Sequence, residues 1–180
     1  MRNLCSSLLA LVVVGTLVGC SGKPAQSPDV SDNIRNSLDQ AGLKDVSVSQ
    51  DRDKGIVTLG GHVATDAAKA EAESLAKSIA TGQVVANEVA VLPPGGESDA
   101  KAVNSDLDKG IESNLDAALI QNKLQKSVKY DVKNAVVTLT GEVTSQSTRA
   151  AVEKIAASVP NVRQVVNDLQ VKNQKANSSK

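Results

Sequence analysis

The sequence predicts an α+β protein of two tandem α-β-β-α-β modules, each a three-stranded mixed sheet with two helices packed on one face. The first observation is an internal repeat, because a shift of 80 residues places Val57–Val63 on Val137–Val143 without a gap. The second is a Pro- and Gly-rich segment between the copies, Leu92–Ser98, with a composition that interrupts regular structure. The third is that helical and strand periodicities alternate within each copy.

The segments outside the repeat differ from it in composition. We expect a signal peptide at residues 1–19, a flexible lipidated tether at 20–31, module 1 at 32–92, a linker at 93–105, module 2 at 106–172 and a disordered tail at 173–180. The tether and the tail are polar and lack apolar periodicity, which is typical of flexible chain.

The N-terminal segment predicts lipid attachment. Residues 8–18 are almost entirely Leu, Val, Ala and Gly, a run shorter than the roughly 20 residues that span a bilayer. The run ends at Leu17-Val18-Gly19-Cys20, which resembles the bacterial lipobox. This resemblance implies cleavage before Cys20 and acylation of that cysteine by diacylglycerol and a fatty acid such as palmitate. Ser21, rather than Asp, then favours the outer membrane; the alternative is an ordinary secretory signal.

Each module begins with a helix and a hairpin. The apolar residues of the helices recur at helical spacing: Ile34, Leu38 and Ala41 in module 1, and Ile111, Leu115, Ala118 and Leu119 in module 2. The hairpin turns are predicted at Lys54-Gly55 and Asn134-Ala135. The second strand of each hairpin carries a late glycine, which indicates a bulge or a close backbone approach.

A second helix and a last strand complete each module. Thr65 and Ser145 stand where helix N-caps belong. The closing strands, residues 85–91 and 165–171, alternate apolar and polar side chains. A strand, helix, strand unit normally forms a right-handed parallel crossover, which predicts the mixed sheet.

The repeat resembles the BON domain, named for bacterial osmotically inducible and nodulation proteins. The resemblance lies in the strand Val137–Val143 with its glycine, the helix that follows and the strand Val165–Val171. The family glycine matches Gly61 and Gly141, and its role is structural. The resemblance implies a periplasmic module associated with membranes, phospholipid binding and envelope or osmotic stress. Module 1 departs from the pattern, with Gln50 where module 2 has Tyr130.

Composition and charge exclude some partners. Tyr130 is the only aromatic residue, because the chain has no Phe or Trp, so stacking on single-stranded nucleic acid is excluded. Without Arg2, 19 basic residues face 20 acidic ones, and we expect no nucleic-acid partner. Residues 30–92 carry a net charge of −3 and residues 106–172 one of +1. Anionic lipid would therefore favour module 2.

The sequence offers no catalytic constellation, and we expect neither an enzyme nor a cofactor. His62 is the single histidine, and its repeat partner is Glu142, so a solvated strand-end residue is the expectation rather than a general base. Asp51 recurs as Asp131, but acidic residues before a hairpin turn are ordinary turn chemistry. We therefore expect no metal site.

One surface feature exceeds this reading. At about 100° per residue, Ile120 points away from the apolar stripe of its helix. Lys123 and Lys126 follow it, and an apolar residue beside cations suits a lipid headgroup boundary. The alternative is that Ile120 packs against module 1 or its own surroundings.

Three classes of function remain open. The first is a non-catalytic envelope protein that binds membrane phospholipid or an envelope protein while it is lipid-anchored. The second is a periplasm-facing chaperone-like or protein-interaction module of the osmotic stress response, in which the anchor only places the protein. The third, an enzyme, lacks candidate residues.

Overall fold

The computed structural model describes residues 26–172. The expected signal peptide, Cys20, the start of the tether and the tail from residue 173 lie outside the described residues. The described chain forms two mixed sheets, each with two helices, which confirms the predicted fold class.

Module 1 contains two helices and a split sheet. Its elements are α1 (Ser31–Gln40), β1 (Val46–Asp51), β2 (Ile56–Val63), α2 (Asp66–Ile79), β3 (Val84–Asn87) and β4 (Ala90–Val91). β1 pairs antiparallel with β2, and β3 and β4 pair parallel with successive parts of β2. The predicted closing strand is thus interrupted after Asn87, whose side-chain oxygen accepts a hydrogen bond from Val89 N at 3.4 Å.

Module 2 repeats this order with a continuous last strand. Its elements are α3 (Glu97–Gln121), β5 (Val128–Lys133), β6 (Val136–Val143), α4 (Gln146–Ala157) and β7 (Gln164–Val171). β6 lies in the centre, antiparallel to β5 and parallel to β7. Thr65 and Ser145 cap α2 and α4 as predicted, each accepting a backbone N–H at 3.1 Å.

The helix α3 begins earlier than the sequence pattern indicates. We expected a linker at residues 93–105, but α3 starts at Glu97 and runs for 25 residues. Acidic residues in its first turn, Glu97 and Asp99, favour a helix start there. The early turns also contact β4 of module 1. Non-helical chain between the modules is therefore confined to a short Pro-Gly segment.

Each module has its own apolar core between sheet and helices. Leu59 and Leu139, at matching places of the central strands, are fully buried in these cores. A third, smaller cluster joins the modules and consists of Ile56, Ala86, Val136 and Val166. Its members are two pairs of repeat equivalents, so both modules contribute the same patch of the helix-free sheet face. The modules dock through matching surfaces, as in isologous contacts between subunits.

Polar contacts frame this small apolar cluster. The ammonium of Lys54 lies 2.8 Å from Asp168, and that of Lys133 lies 3.2 Å from Glu88. Glu88 and Asp168 are repeat equivalents, so the ion pairs obey the same approximate two-fold relation. The hydrogen bond and charge of Asp168 raise the pKa of Lys54.

Gln164 connects the neighbouring strands β3 and β7. Its side-chain amide donates to Val85 O at 2.6 Å and accepts from Asn87 N at 3.0 Å. One side chain therefore satisfies two backbone groups that the adjacent strand of module 1 leaves free at its edge.

Candidate functional site

The two family glycines lie where the first strand of each hairpin approaches the second. Gly61 has φ of +84° and Gly141 has φ of +116°. A Cβ at these positions would overlap the carbonyl oxygen of Asp45 or Ser127, respectively. The same oxygens accept backbone hydrogen bonds from the next residues, His62 and Glu142, at 3.3 and 3.1 Å. The geometry is a close backbone approach, and it gives both glycines a structural role.

The end of α3 carries the candidate membrane contact, residues Ile120, Lys123 and Lys126, which we call the α3-end surface. Ile120 is 51% exposed and belongs to none of the apolar clusters. This contradicts the alternative that it packs against module 1. Lys123 and Lys126 are exposed in the turn that follows the helix.

A hydrogen-bonded C-cap fixes the backbone of this surface. Lys123 N donates to Ile120 O at 3.0 Å and Leu124 N donates to Leu119 O at 2.9 Å. This is the Schellman arrangement, in which the residue after the cap takes a left-handed conformation and is usually glycine. Here that residue is Lys123, with φ of +58°. A lysine is thus held in a conformation that costs about 1 kcal/mol.

Module 1 builds the same cap with different residues. Gly42 N donates to Asp39 O at 3.1 Å, and Leu43 N donates to Leu38 O at 2.9 Å. The left-handed position is taken by Gly42, with φ of +78°. In this match Ile120 replaces Asp39 and Lys123 replaces Gly42. Module 2 therefore differs from module 1 by an added apolar side chain and an added cation on one exposed turn.

The other polar candidates from the sequence occupy ordinary structural positions. His62 is exposed on β2. Asp51 accepts from Lys54 N at 3.1 Å, as expected for turn chemistry. Asp131 pairs with Thr138, whereas Lys133 takes the hairpin place that Asp51 has in module 1. The recurrence of Asp51 as Asp131 is therefore wrong in structural terms, because the two hairpin loops differ in length.

A pair of asparagines is important in a way that the repeat alone did not reveal. Asn87 Nδ2 donates to the carbonyl of Lys69 at 3.0 Å, and Asn167 Nδ2 donates to the carbonyl of Arg149 at 3.2 Å. Each side-chain oxygen also accepts a backbone N–H two residues later. Each asparagine therefore ties the last strand of its module to the second helix. Their recurrence 80 residues apart was the available signal.

Two searches of the described residues bear on other classes of site. Within residues 26–172, no three His, Cys, Asp or Glu side chains are grouped so that they could hold a metal ion. Over the same range, no helix combines the length and the apolar character needed to cross a membrane.

Comparison with known proteins gives a family match and one curated relative. The model of the family described as "BON domain" matches residues 27–93 and 107–173. The "Osmotically-inducible protein Y" of Escherichia coli (strain K12) is 31% identical over 137 residues, a stretch that covers 75% of this chain and 67% of that protein.

Solved structures give a weaker likeness. The C-terminal domain of CdsD, described as the structural protein of the type III secretion system of Chlamydia trachomatis, is 14% identical, and the match covers 82% of this chain and 99% of that one, with a TM-score of 0.34. A second CdsD structure is 15% identical, and its match covers 80% of this chain and 92% of that one, also with a TM-score of 0.34.

Proposed function

Because the chain belongs to the BON domain family and carries two such domains in tandem, we propose that it is a non-catalytic, lipid-anchored cell-envelope protein whose second module contacts phospholipid. Its role is to support envelope integrity under osmotic stress. The anchor is Cys20, and the expected location is the periplasmic face of the outer membrane. The osmotic part of the proposal is supported by the name of the E. coli relative.

The observation that carries the lipid contact is the exchange at the helix end between modules. An exposed Ile120 beside lysines suits the boundary between headgroups and acyl chains, where apolar area and attraction to anionic lipid both contribute. A left-handed lysine at position 123 is a local cost that glycine would avoid, as Gly42 does in module 1. A residue kept against its conformational preference points to a role at that surface.

The division of labour follows from the magnitudes. The acyl chains on Cys20 contribute about 0.8 kcal/mol for each buried methylene group, and two or three chains anchor a protein durably. Each lysine near an anionic surface contributes only about 1 kcal/mol. The anchor therefore holds the protein at the membrane, and the α3-end surface orients module 2 against it.

Substitution of Ile120 by aspartate tests this contact. In a full chain carrying Cys20→Ser, which cannot be acylated, we expect Ile120→Asp to weaken binding to phosphatidylglycerol vesicles by about tenfold or more, since it removes buried apolar area and adds a repelled charge. Vesicle flotation measures the bound fraction. Asp39 at the matching place of module 1 shows that aspartate is compatible with the fold there.

The matched control is Val103→Asp, because Val103 is 65% exposed on the same helix but outside the α3-end surface. Equal losses from both substitutions, or unchanged flotation of Ile120→Asp, would show that this surface is not the lipid contact.

Substitution of Lys123 by glycine separates stability from binding. We expect Lys123→Gly to raise the free energy of unfolding by about 1 kcal/mol by relieving the left-handed strain. It should also weaken vesicle binding by about fivefold, because one cation is lost. Urea unfolding and flotation measure the two effects. The reciprocal variant Gly42→Lys should destabilise module 1 without improving binding, and a Lys123→Gly variant with full vesicle affinity would contradict the proposal.

The second candidate function is a periplasm-facing chaperone-like or protein-interaction module, in which the anchor only places the protein. It shares the family and the relative but assigns no lipid contact to Ile120. Suppression of aggregation of an unfolded client by the Cys20→Ser chain, together with absent vesicle binding, would favour this candidate.

A further inference from the structure

A buried lysine without a partner lies at the junction of the modules. Lys69 is in the first turns of α2 and is only 9% exposed. Among the hydrogen bonds and ion pairs of residues 26–172, none involves its ammonium group. Buried charges are normally paired, so each exception indicates a missing water or ion.

The ammonium group faces open space rather than packed core. Two adjoining cavities, of about 180 and 410 Å³, are lined by Lys69, Asp66 and Arg163. Asn104 of α3 lines the smaller one. Because Asp66 and Lys69 belong to module 1 and Arg163 and Asn104 follow the linker, the space exists only while the modules are docked.

The carboxylates around Lys69 are already engaged with other groups. Asp66 lies 3.2 Å from Arg163 Nη1. Glu73 pairs with Lys77 and accepts a hydrogen bond from Asn87.

Asp108, which lines the smaller cavity, is engaged as well. Its two oxygens each accept a backbone N–H at 2.8 Å, one from Asn134 and one from Ala135. The charge of Lys69 is therefore the one at this junction that no contact of the described residues answers.

The repeat provides a comparison inside the same chain. Arg149 occupies the position of Lys69 in module 2, and its Nη2 donates to the carbonyl of Asn167 at 2.7 Å. Lys69 makes no such bond to Asn87, although the reverse bond from Asn87 to the Lys69 carbonyl is present. The open ammonium is thus a property of the junction and not of the repeated helix position.

We propose that the module junction binds a small oxyanion of phosphate chemistry between Lys69 and Arg163. An ammonium and a guanidinium from opposite modules are the donors that tetrahedral phosphate oxygens accept best. Burial, and after it the charge of Arg163, lower the pKa of Lys69. A bound anion offsets both effects and links the two modules. The phosphate belongs either to free phosphate or to a lipid headgroup.

Titration of the full chain carrying Cys20→Ser with inorganic phosphate tests the site. At constant ionic strength, we expect saturable amide shifts around Lys69 and Arg163 in nuclear magnetic resonance spectra. Lys69→Met should weaken this binding by about tenfold or more, while Lys69→Arg, which keeps the charge, retains it. Lys154→Met, on the exposed face of α4, is the control and should bind as the parent does.

The outcomes separate the sources and the failure. Loss of phosphate binding in Lys69→Met with unchanged flotation on phosphatidylglycerol vesicles assigns the site to free phosphate. Loss of both assigns it to a lipid headgroup. If the parent shows no saturable shifts, or if Lys69→Met shows the same ones, water fills the junction and the proposal is overturned. The α3-end surface is tested by Ile120→Asp, so the two proposals fail independently.

Discussion

Gly141→Ala is expected to lower the free energy of unfolding of module 2 by about 4 kcal/mol. The backbone at φ of +116° strains any residue with a Cβ, which costs about 1–3 kcal/mol. The added Cβ also overlaps the carbonyl of Ser127. That carbonyl accepts from Glu142 N, so it cannot withdraw without loss of a hydrogen bond, and overpacking adds about 1–3 kcal/mol.

Tyr130 makes this measurement specific for module 2. It is the only tyrosine, and the chain has no tryptophan, so intrinsic fluorescence during urea unfolding reports the surroundings of β5. The control is Gly110→Ala in the same module. Gly110 lies on α3 with open space around it, and alanine there should stabilise the helix by about 1 kcal/mol. Effects of the same sign from both substitutions would refute the close-approach explanation.

Asn87→Ala is expected to destabilise module 1 by about 3 kcal/mol. Asn87 is 2% exposed and donates to Lys69 O and Glu73 Oε2 while it accepts from Val89 N. Alanine leaves a buried carbonyl and a buried N–H without partners, and each such group costs about 1–3 kcal/mol. Urea unfolding followed by circular dichroism measures the change.

The same substitution in module 2 calibrates this value. Asn167 makes the equivalent three contacts but is only partly buried. Water can therefore replace part of what is lost, and Asn167→Ala should cost about 1 kcal/mol. If Asn87→Ala costs no more than Asn167→Ala, burial does not decide the importance of this residue.

The glycines and the asparagines show how far the repeat leads. Both recur 80 residues apart, so their positions could be singled out from the chain alone. For Gly61 and Gly141 the late position in a strand already indicated a close approach. For Asn87 and Asn167 the role depends on a helix carbonyl 18 residues earlier, and strand periodicity carries no information about that contact.

The candidate membrane contact was half visible in the sequence. The helical angle of Ile120 predicted its exposure, because side-chain direction on a helix is a local property. The left-handed backbone of Lys123 and the match of this turn to Asp39 and Gly42 in module 1 were not visible, since lysine is an uncommon residue at that cap position.

The sequence by itself determined the fold of each module, because alternating periodicities, caps and turn residues act over a few neighbouring residues and the repeat states them twice. Only the tertiary structure decided how the modules meet. Lys54 reaches Asp168 and Gln164 reaches the edge of β3 across more than 75 residues of chain. The burial of Lys69 follows from that docking, because the environment of a charge depends on what packs over it and not on its neighbours in the chain.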